Sequence, residues 1–278
     1  MLPSTALSPQ EISFFHEHGY LSLPQITTAE EVSWIREIYD QFFERRVGWE
    51  NGDFFDFSGT DQADSALTLP QMLDLSRYEP ALKQTLFRTH ALNIARQLLG
   101  PSAELVFEHA ILKPARTGGE TPWHQDEAFF PKYTNYQSLT IWMPLQAVNV
   151  ENGCLDFIPG SHRGPLLPHH RLNHDPRIHG LEAEGVNDSH RVTCPVPAGG
   201  ATIHHQRTLH HADPNRSNEP RRAYALGFGV RSRATTLRTE FHWNQSRATA
   251  RDQRAAAAQG VMHRYVNLLK TQIKSVLR

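Results

Sequence analysis

The 278-residue chain is 39% hydrophobic and 21% charged, which gives it material for a sizeable core and excludes a disordered or collagen-like chain. Its 28 lysines and arginines against 29 aspartates and glutamates leave a formal charge of −1, so no net field draws it to nucleic acid or to anionic lipid. No apolar run approaches the roughly 20 residues that cross a bilayer. Met1-Leu2-Pro3-Ser4 lacks a secretion signal, and only Cys154 and Cys194 occur, so a cytoplasmic protein without a disulfide framework is expected.

In chain order, Ser8-Pro9-Gln10-Glu11 reads as a capping box, and Gly19 as the stop of a first short helix. Tyr20 to Pro24 reads as a strand. Thr28-Ala29-Glu30-Glu31 repeats the box, and Val32, Ile35, Tyr39, Phe42 and Phe43 at helical spacing extend a second helix to about Arg46. Residues 47–66, rich in Gly, Asp and Phe without a period, read as a loop or lid. A third helix is expected from about Glu79 to Leu99, ending at Gly100-Pro101. Short alternating segments then suggest strands at 104–113, 121–126, 138–150, 154–158, 192–197, 201–205 and 222–230, which fit a two-sheet jelly roll with the helices packed on one sheet. Residues 160–190 form a long insertion. Beyond Arg247 an Ala-, Arg- and Gln-rich segment predicts one or two terminal helices, open to packing on the same domain or to a homodimer contact. The expected organisation is a single domain over 1–278, with helical support at about 8–100, the jelly-roll core at about 104–230 and a C-terminal helical extension at about 247–278.

Histidine is over-represented: ten of the 17 lie between 162 and 211, which directs the search for chemistry there. In Trp123-His124-Gln125-Asp126-Glu127, an imidazole and a carboxylate two residues apart project from one face of a strand. Thr208-Leu209-His210-His211 follows the strand 200–204, and a jelly roll can bring it beside that pair. Two histidines and one carboxylate leave metal positions open, as in non-haem iron(II) oxygenases. His204, His205 and His211 compete with His210 for the third position. Arg221 would begin the next strand and offers a planar fork for the distal carboxylate of 2-oxoglutarate, with Arg222 as its rival on the opposite face.

Together with Ile141-Trp142-Met143-Pro144-Leu145, Glu151-Asn152-Gly153-Cys154-Leu155, Ile158-Pro159-Gly160-Ser161-His162 and Asn215-Arg216-Ser217, these motifs resemble the phytanoyl-CoA dioxygenase-like family of iron(II)/2-oxoglutarate-dependent oxygenases over roughly residues 10–230. The resemblance implies a double-stranded β-helix (cupin-like jelly roll) with iron(II) held by His124, Asp126 and His210, Arg221 gripping 2-oxoglutarate, and Gln125 and Trp142 lining the cosubstrate pocket. Lys113 reaches the cosubstrate or sits at a strand end. The family's Gly-Asp stands here as Gly200-Ala201, and its small residue after the distal histidine as His211. The related halogenases lack the carboxylate that Asp126 supplies, so halogenation is not expected.

The implied activity consumes 2-oxoglutarate and O2, releases succinate and CO2, and hydroxylates an unactivated C–H bond of a small or carrier-linked metabolite. Desaturation, cyclisation, epimerisation or endoperoxidation are alternatives on the same centre. His109, Phe129, Phe130 and Tyr133 are candidate substrate contacts. His169, His170, His174, His179 and His190 match no tight ligand spacing and read as a solvated loop, open to a place near the substrate. Two readings from other classes are a non-catalytic metal-binding cupin-like protein and a zinc hydrolase, which would need Glu127 as its base.

Overall fold

The capping box expected at Ser8 forms in the structure, a computed structural model that describes residues 3–62, 66–117, 119–130, 137–230 and 240–260. Ser8 Oγ accepts from the Glu11 amide at 3.2 Å, the Glu11 carboxylate accepts from the Ser8 amide at 2.7 Å, and α1 runs Pro9–His18. Gly19 ends it at φ +80°, where a Cβ would lie 2.3 Å from His162 Nδ1, so both handedness and close approach require glycine. After β1 (Tyr20–Leu23), α2 (Ala29–Glu44) starts at Thr28, whose hydroxyl accepts from the Glu31 amide. The Glu31 carboxylate does not turn back to close a second box. It accepts from the amides of Leu86 and Phe87 at 2.7 and 2.8 Å, satisfying the first turn of another helix.

That other helix is shorter than the sequence suggested. The chain forms α3 (Leu75–Tyr78) and a 3-10 turn at Pro80–Gln84, then breaks at Thr85, whose ψ of 149° is extended and whose hydroxyl caps α4 (Leu86–Leu99). Residues 47–66 also depart from the loop expectation. Phe54–Asp56 is a strand, β2, paired with β3 (Pro70–Leu73), and the Asp56 carboxylate accepts from the amides of Thr68 and Leu69.

The remaining strands are β4 (Glu104–Lys113), β5 (Thr121–His124), β6 (Ser138–Pro144), β7 (Leu155–Phe157), β8 (His169–Arg171), β9 (Leu181–Ala183), β10 (Val192–Cys194), β11 (Ala201–His205), β12 (His210–Ala212) and β13 (Arg221–Gly229). They form the expected jelly roll: one sheet in the order β1-β11-β6-β13-β4-β3-β2, a second in the order β10-β7-β12-β5, and a β8-β9 hairpin inside the 160–190 insertion, every pair antiparallel. Near the C-terminus, α5 spans His242–Gln245 and residues 250–260 are helical; 261–278 lie outside the described residues.

Alternation along the central strands separates two interiors. Leu139, Ile141 and Met143 of β6 and Tyr224, Leu226 and Phe228 of β13 face the helices in the main core, each fully buried and contributing about 1.5–3 kcal/mol. Trp142, Ala223 and Ala225 face the second sheet. The small side chains of the two alanines leave room between the sheets.

Candidate metal centre and its cavity

The face between the sheets carries the polar residues of the same strands. His124 ends β5 directly opposite His210 of β12, so the two rings share a face, with centroids 4.0 Å apart. Gln125 is extended (φ −121°, ψ 128°), which returns Asp126 to the His124 side before a 3-10 turn begins. Asp126 Oδ1 lies 3.7 Å from His124 Nε2 and 3.5 Å from His210 Nε2, and one ligand atom from each of the three residues falls within 4.8 Å of the others. Among the described residues this is the one His/Cys/Asp/Glu group with that geometry.

The surroundings fix the form of each donor. His124 Nδ1–H donates to Pro122 O at 2.7 Å and His210 Nδ1–H to Thr208 O at 2.9 Å, leaving both Nε2 lone pairs directed at the cluster. Burial lowers the pKa of both imidazoles, so they are neutral. Burial pushes the Asp126 carboxyl up, but its neighbours, the hydrogen bond from His204 among them, outweigh burial and hold it well below the usual carboxylate range. Two neutral imidazoles and a carboxylate are the protonation states a divalent metal requires.

Alternation places His204 on the same interior face, and here it is a support and not a member of the cluster. Its Nε2–H donates to Asp126 Oδ2 at 3.2 Å, and Thr140 Oγ1 donates to the same oxygen at 2.7 Å. That leaves Oδ1 turned toward the two histidines. His205 faces the other way, against His162, and His211 stacks on Trp123 at 5.1 Å with Nδ1 3.5 Å from Asp156. Glu127, the base a hydrolase would need, is committed to Arg207 and Gln206.

Arg221 points inward with Ala223 and Ala225, buried to 2% exposure, its Cζ 5.3 Å from the Trp142 ring centroid. Among the described residues its one hydrogen bond is a long one from Nη1 to Ile111 O at 3.4 Å, and its buried Nε has no partner there. Arg222, on the outward face, pairs with Asp40. Desolvation depresses the Arg221 pKa to about 10, and the side chain is still a cation at neutral pH. A buried guanidinium with unfilled donors can receive an anion.

Two expected cosubstrate contacts fall elsewhere. Gln125 does not line the cavity: its amide donates to Arg207 O and accepts from the Leu167 amide, because the residue between two inward-facing neighbours must face out of the cluster. Lys113 is fully buried and donates to Gly119 O (2.8 Å) and Ala212 O (3.0 Å); burial first, then Arg221, lowers its pKa well below the lysine value, and it sits at the strand end without lining the cavity. Tyr133 lies outside the described residues.

The cluster opens into a cavity of about 780 Å³ whose lining includes Trp142, His109, Phe129 and Phe130. Other wall residues were not named as contacts from the sequence, and the insertion read as a solvated loop turns partly inward: His169 is fully buried and His179 lines the cavity. Phe55 and Phe57 come from the segment read as a loop, Gln71 accepts from His109 Nε2–H at 2.7 Å, His179 comes from the insertion, and Arg247 and Arg251 come from the C-terminal segment.

The phytanoyl-CoA dioxygenase (PhyH) family model matches residues 15–223. The chain belongs to that family. It is 27% identical over 219 residues to a probable alpha-ketoglutarate-dependent hypophosphite dioxygenase of Stutzerimonas stutzeri, covering 77% of this chain and 76% of that one. The crystal structure of EvdO2 from Micromonospora carbonacea var. aurantiaca complexed with 2-oxoglutarate is 36% identical, with a TM-score of 0.70 over 82% of this chain and 93% of that chain. The carbocyclase SnoK from nogalamycin biosynthesis, 24% identical with a TM-score of 0.68 over 82% of this chain and 87% of its own, shares the fold.

Proposed function

We propose that this PhyH-family chain is an iron(II)- and 2-oxoglutarate-dependent dioxygenase whose metal ligands are His124, Asp126 and His210 and whose anchor for the far carboxylate of 2-oxoglutarate is Arg221. The observation that carries the reading is the convergence of that cluster and an unfilled buried guanidinium on one cavity. A facial set of three protein donors leaves adjacent positions for the oxo acid and O2. Family membership and the similarity to a 2-oxoglutarate-bound oxygenase support the same chemistry.

When bound, iron and 2-oxoglutarate supply the activation of O2, with 2-oxoglutarate leaving as succinate and CO2 and the second oxygen atom entering a C–H bond of the substrate. The chain does the rest. His124 and His210 present Nε2 because their Nδ1–H groups are tied to backbone carbonyls. Thr140 and His204 hold one Asp126 oxygen, so the other is oriented toward the metal position. Arg221 fixes the oxo acid by its remote end. Phe55, Phe57, Phe129 and Phe130 wall the cavity with apolar surface and limit water around the reacting carbon.

The substrate is read as a small organic molecule, and hydroxylation as the default outcome; cyclisation, epimerisation or desaturation depends on where that molecule places its hydrogen. The test is succinate formation by protein reconstituted with iron(II), 2-oxoglutarate and air. Activity should vanish with a chelator and return with iron(II) but not with zinc. Iron-loaded protein that neither binds nor consumes 2-oxoglutarate would overturn the reading. No helix among the described residues is long and apolar enough to cross a membrane.

A further inference from the structure

The part of the cavity wall that lies beyond Phe129 from His124 is built differently from the rest: the Phe129 ring is 5.8 Å from the His124 ring and 5.9 Å from the His179 ring. This part includes residues beyond 223, where the family match stops. Arg251 is the most constrained of them. Its side chain is 16% exposed, Nε donates to Gly52 O at 2.8 Å, and its Cζ sits 5.0 Å from the Phe55 ring centroid. Nη1 approaches Asp252 Oδ1 only at 3.5 Å. The Asp252 carboxylate is committed to the Nε and Nη2 of Arg247, and to Thr249 Oγ1 at 2.6 Å. One carboxylate therefore serves two guanidinium groups that face the same cavity.

The other acids do not redress this. Asp126 belongs to the opposite end, and Glu240 is exposed to solvent. Asp53, Asp61 and Asp74 are close enough to act on Arg251, but Asp53 pairs with Arg77 at 3.0 Å, Asp61 pairs with Arg254 at 2.5 Å, and burial pushes the Asp74 carboxyl up. Arg171, packed beneath, binds only neutral oxygens: Trp243 O, His179 O and Asn244 Oδ1. His179 completes the patch. Its ring lies 4.7 Å from the Phe55 ring and stacks on Phe129 at 5.9 Å, and makes no hydrogen bond to any described residue. Burial first, then Arg251, Arg247 and Arg171, keep it neutral, so it offers one N–H beside the guanidinium groups.

We propose that this end of the cavity is a receptor for an oxyanion, carboxylate or phosphate, carried on an apolar substrate body, with Arg251 as the principal donor and Arg247 and His179 beside it. The proposal rests on the oxygenase reading and specifies the substrate class of that site. The apolar body lies along Phe57, Phe129 and Phe130, and the anion at the far end holds it so that a carbon along its length faces the metal position. A cavity of about 780 Å³ is in the range that encloses a molecule of that kind beside the cosubstrate.

The test uses full-length protein saturated with 2-oxoglutarate, so that Arg221 is occupied, and calorimetric titration with 2-naphthoate, 2-naphthyl phosphate and the isosteric amide 2-naphthamide. Wild type should bind at least one of the two anions about tenfold or more tightly than the amide, and the stronger of the two identifies the oxyanion. Arg251→Met should erase that preference, and Asp252→Asn, which removes the competing anion but keeps an acceptor for Thr249 and Arg247, should enlarge it. Opposite signs from neighbouring substitutions are not what a purely structural role produces, and the Asp252→Asn gain decides the matter even if Arg251→Met does not fold. Succinate formation is followed in parallel. If wild type forms succinate yet shows no anion preference, whether both probe types bind or neither does, the receptor is overturned alone; if Asp252→Asn weakens anion binding, the same holds. Failure to bind or turn over 2-oxoglutarate strikes the oxygenase reading instead.

Discussion

The two ends of the cavity are held by different kinds of structure. At the metal end every working side chain sits on a strand or within two residues of one: His124 on β5, Asp126 two residues beyond, His210 on β12, His204 on β11, Thr140 on β6 and Arg221 on β13. Backbone register between neighbouring strands sets their mutual positions, as His210 opposite His124 shows. At the far end the wall comes from short β2, the 179 loop and residues 240–252, joined by side-chain-to-carbonyl bonds such as Arg251 to Gly52 O and Arg254 to Trp49 O. A sheet fixes chemistry that must be reproduced within a fraction of an ångström, and irregular segments vary what is presented to it.

That contrast is broken most severely by removing a ligand. His124→Ala or Asp126→Ala should reduce succinate formation below detection while leaving the melting temperature close to wild type, because the truncated atoms face the cavity and not the core. Unchanged turnover would refute the ligand assignment. Arg221→Ala comes next. Loss of a buried charged partner for a carboxylate costs about 2–5 kcal/mol, so the 2-oxoglutarate concentration for half-saturation should rise about thirtyfold or more, with the iron affinity little changed. His204→Phe sharpens the comparison within the metal end. Removing one of the two donors to Asp126 Oδ2 should weaken metal binding by about 10- to 100-fold, read directly by cobalt(II) titration, and His204→Gln should recover part of it. If His204→Phe binds cobalt as wild type does, Thr140 alone orients the carboxylate.

The same contrast explains what could be read in the sequence. Strand alternation is a local signal, so the shared face of His124 and Asp126, and the opposite faces of Arg221 and Arg222, followed from period two. The choice of His210 over His204 did not, because both are on interior faces and only the third dimension shows that one reaches the cluster and the other reaches Asp126 from behind. Gln125 illustrates a family expectation that alternation contradicted: between two inward residues it had to face out. The helix expected from Glu79 failed at Thr85 because a cap and a tertiary partner, Glu31, set its start at Leu86. Arg247 and Arg251 were illegible for a different reason: a helical segment can be read locally, but nothing local marks a side chain that becomes a wall only after the chain returns from far away.

The mildest prediction concerns how the insertion supports the metal end. His169 on β8 is fully buried; its Nδ1–H donates to Leu167 O at 2.8 Å and its Nε2 accepts from the Gln125 amide at 3.3 Å, the residue between two of the proposed ligands. Burial depresses its pKa to about 4 from an ordinary value of 6.5, so the folded state binds fewer protons than the unfolded state between those limits. Stability from this group is complete above pH 6.5 and falls as pH drops toward 4, by at most about 1.4 kcal/mol per pH unit. Urea denaturation of wild type and His169→Gln at pH 7 and pH 5 isolates it: the wild type should lose more stability between the two, since glutamine preserves polarity and does not titrate. Equal losses would mean that His169 opens to water on acidification before the sheet does, and that the insertion is coupled to the metal strand more loosely than the Gln125 hydrogen bond indicates.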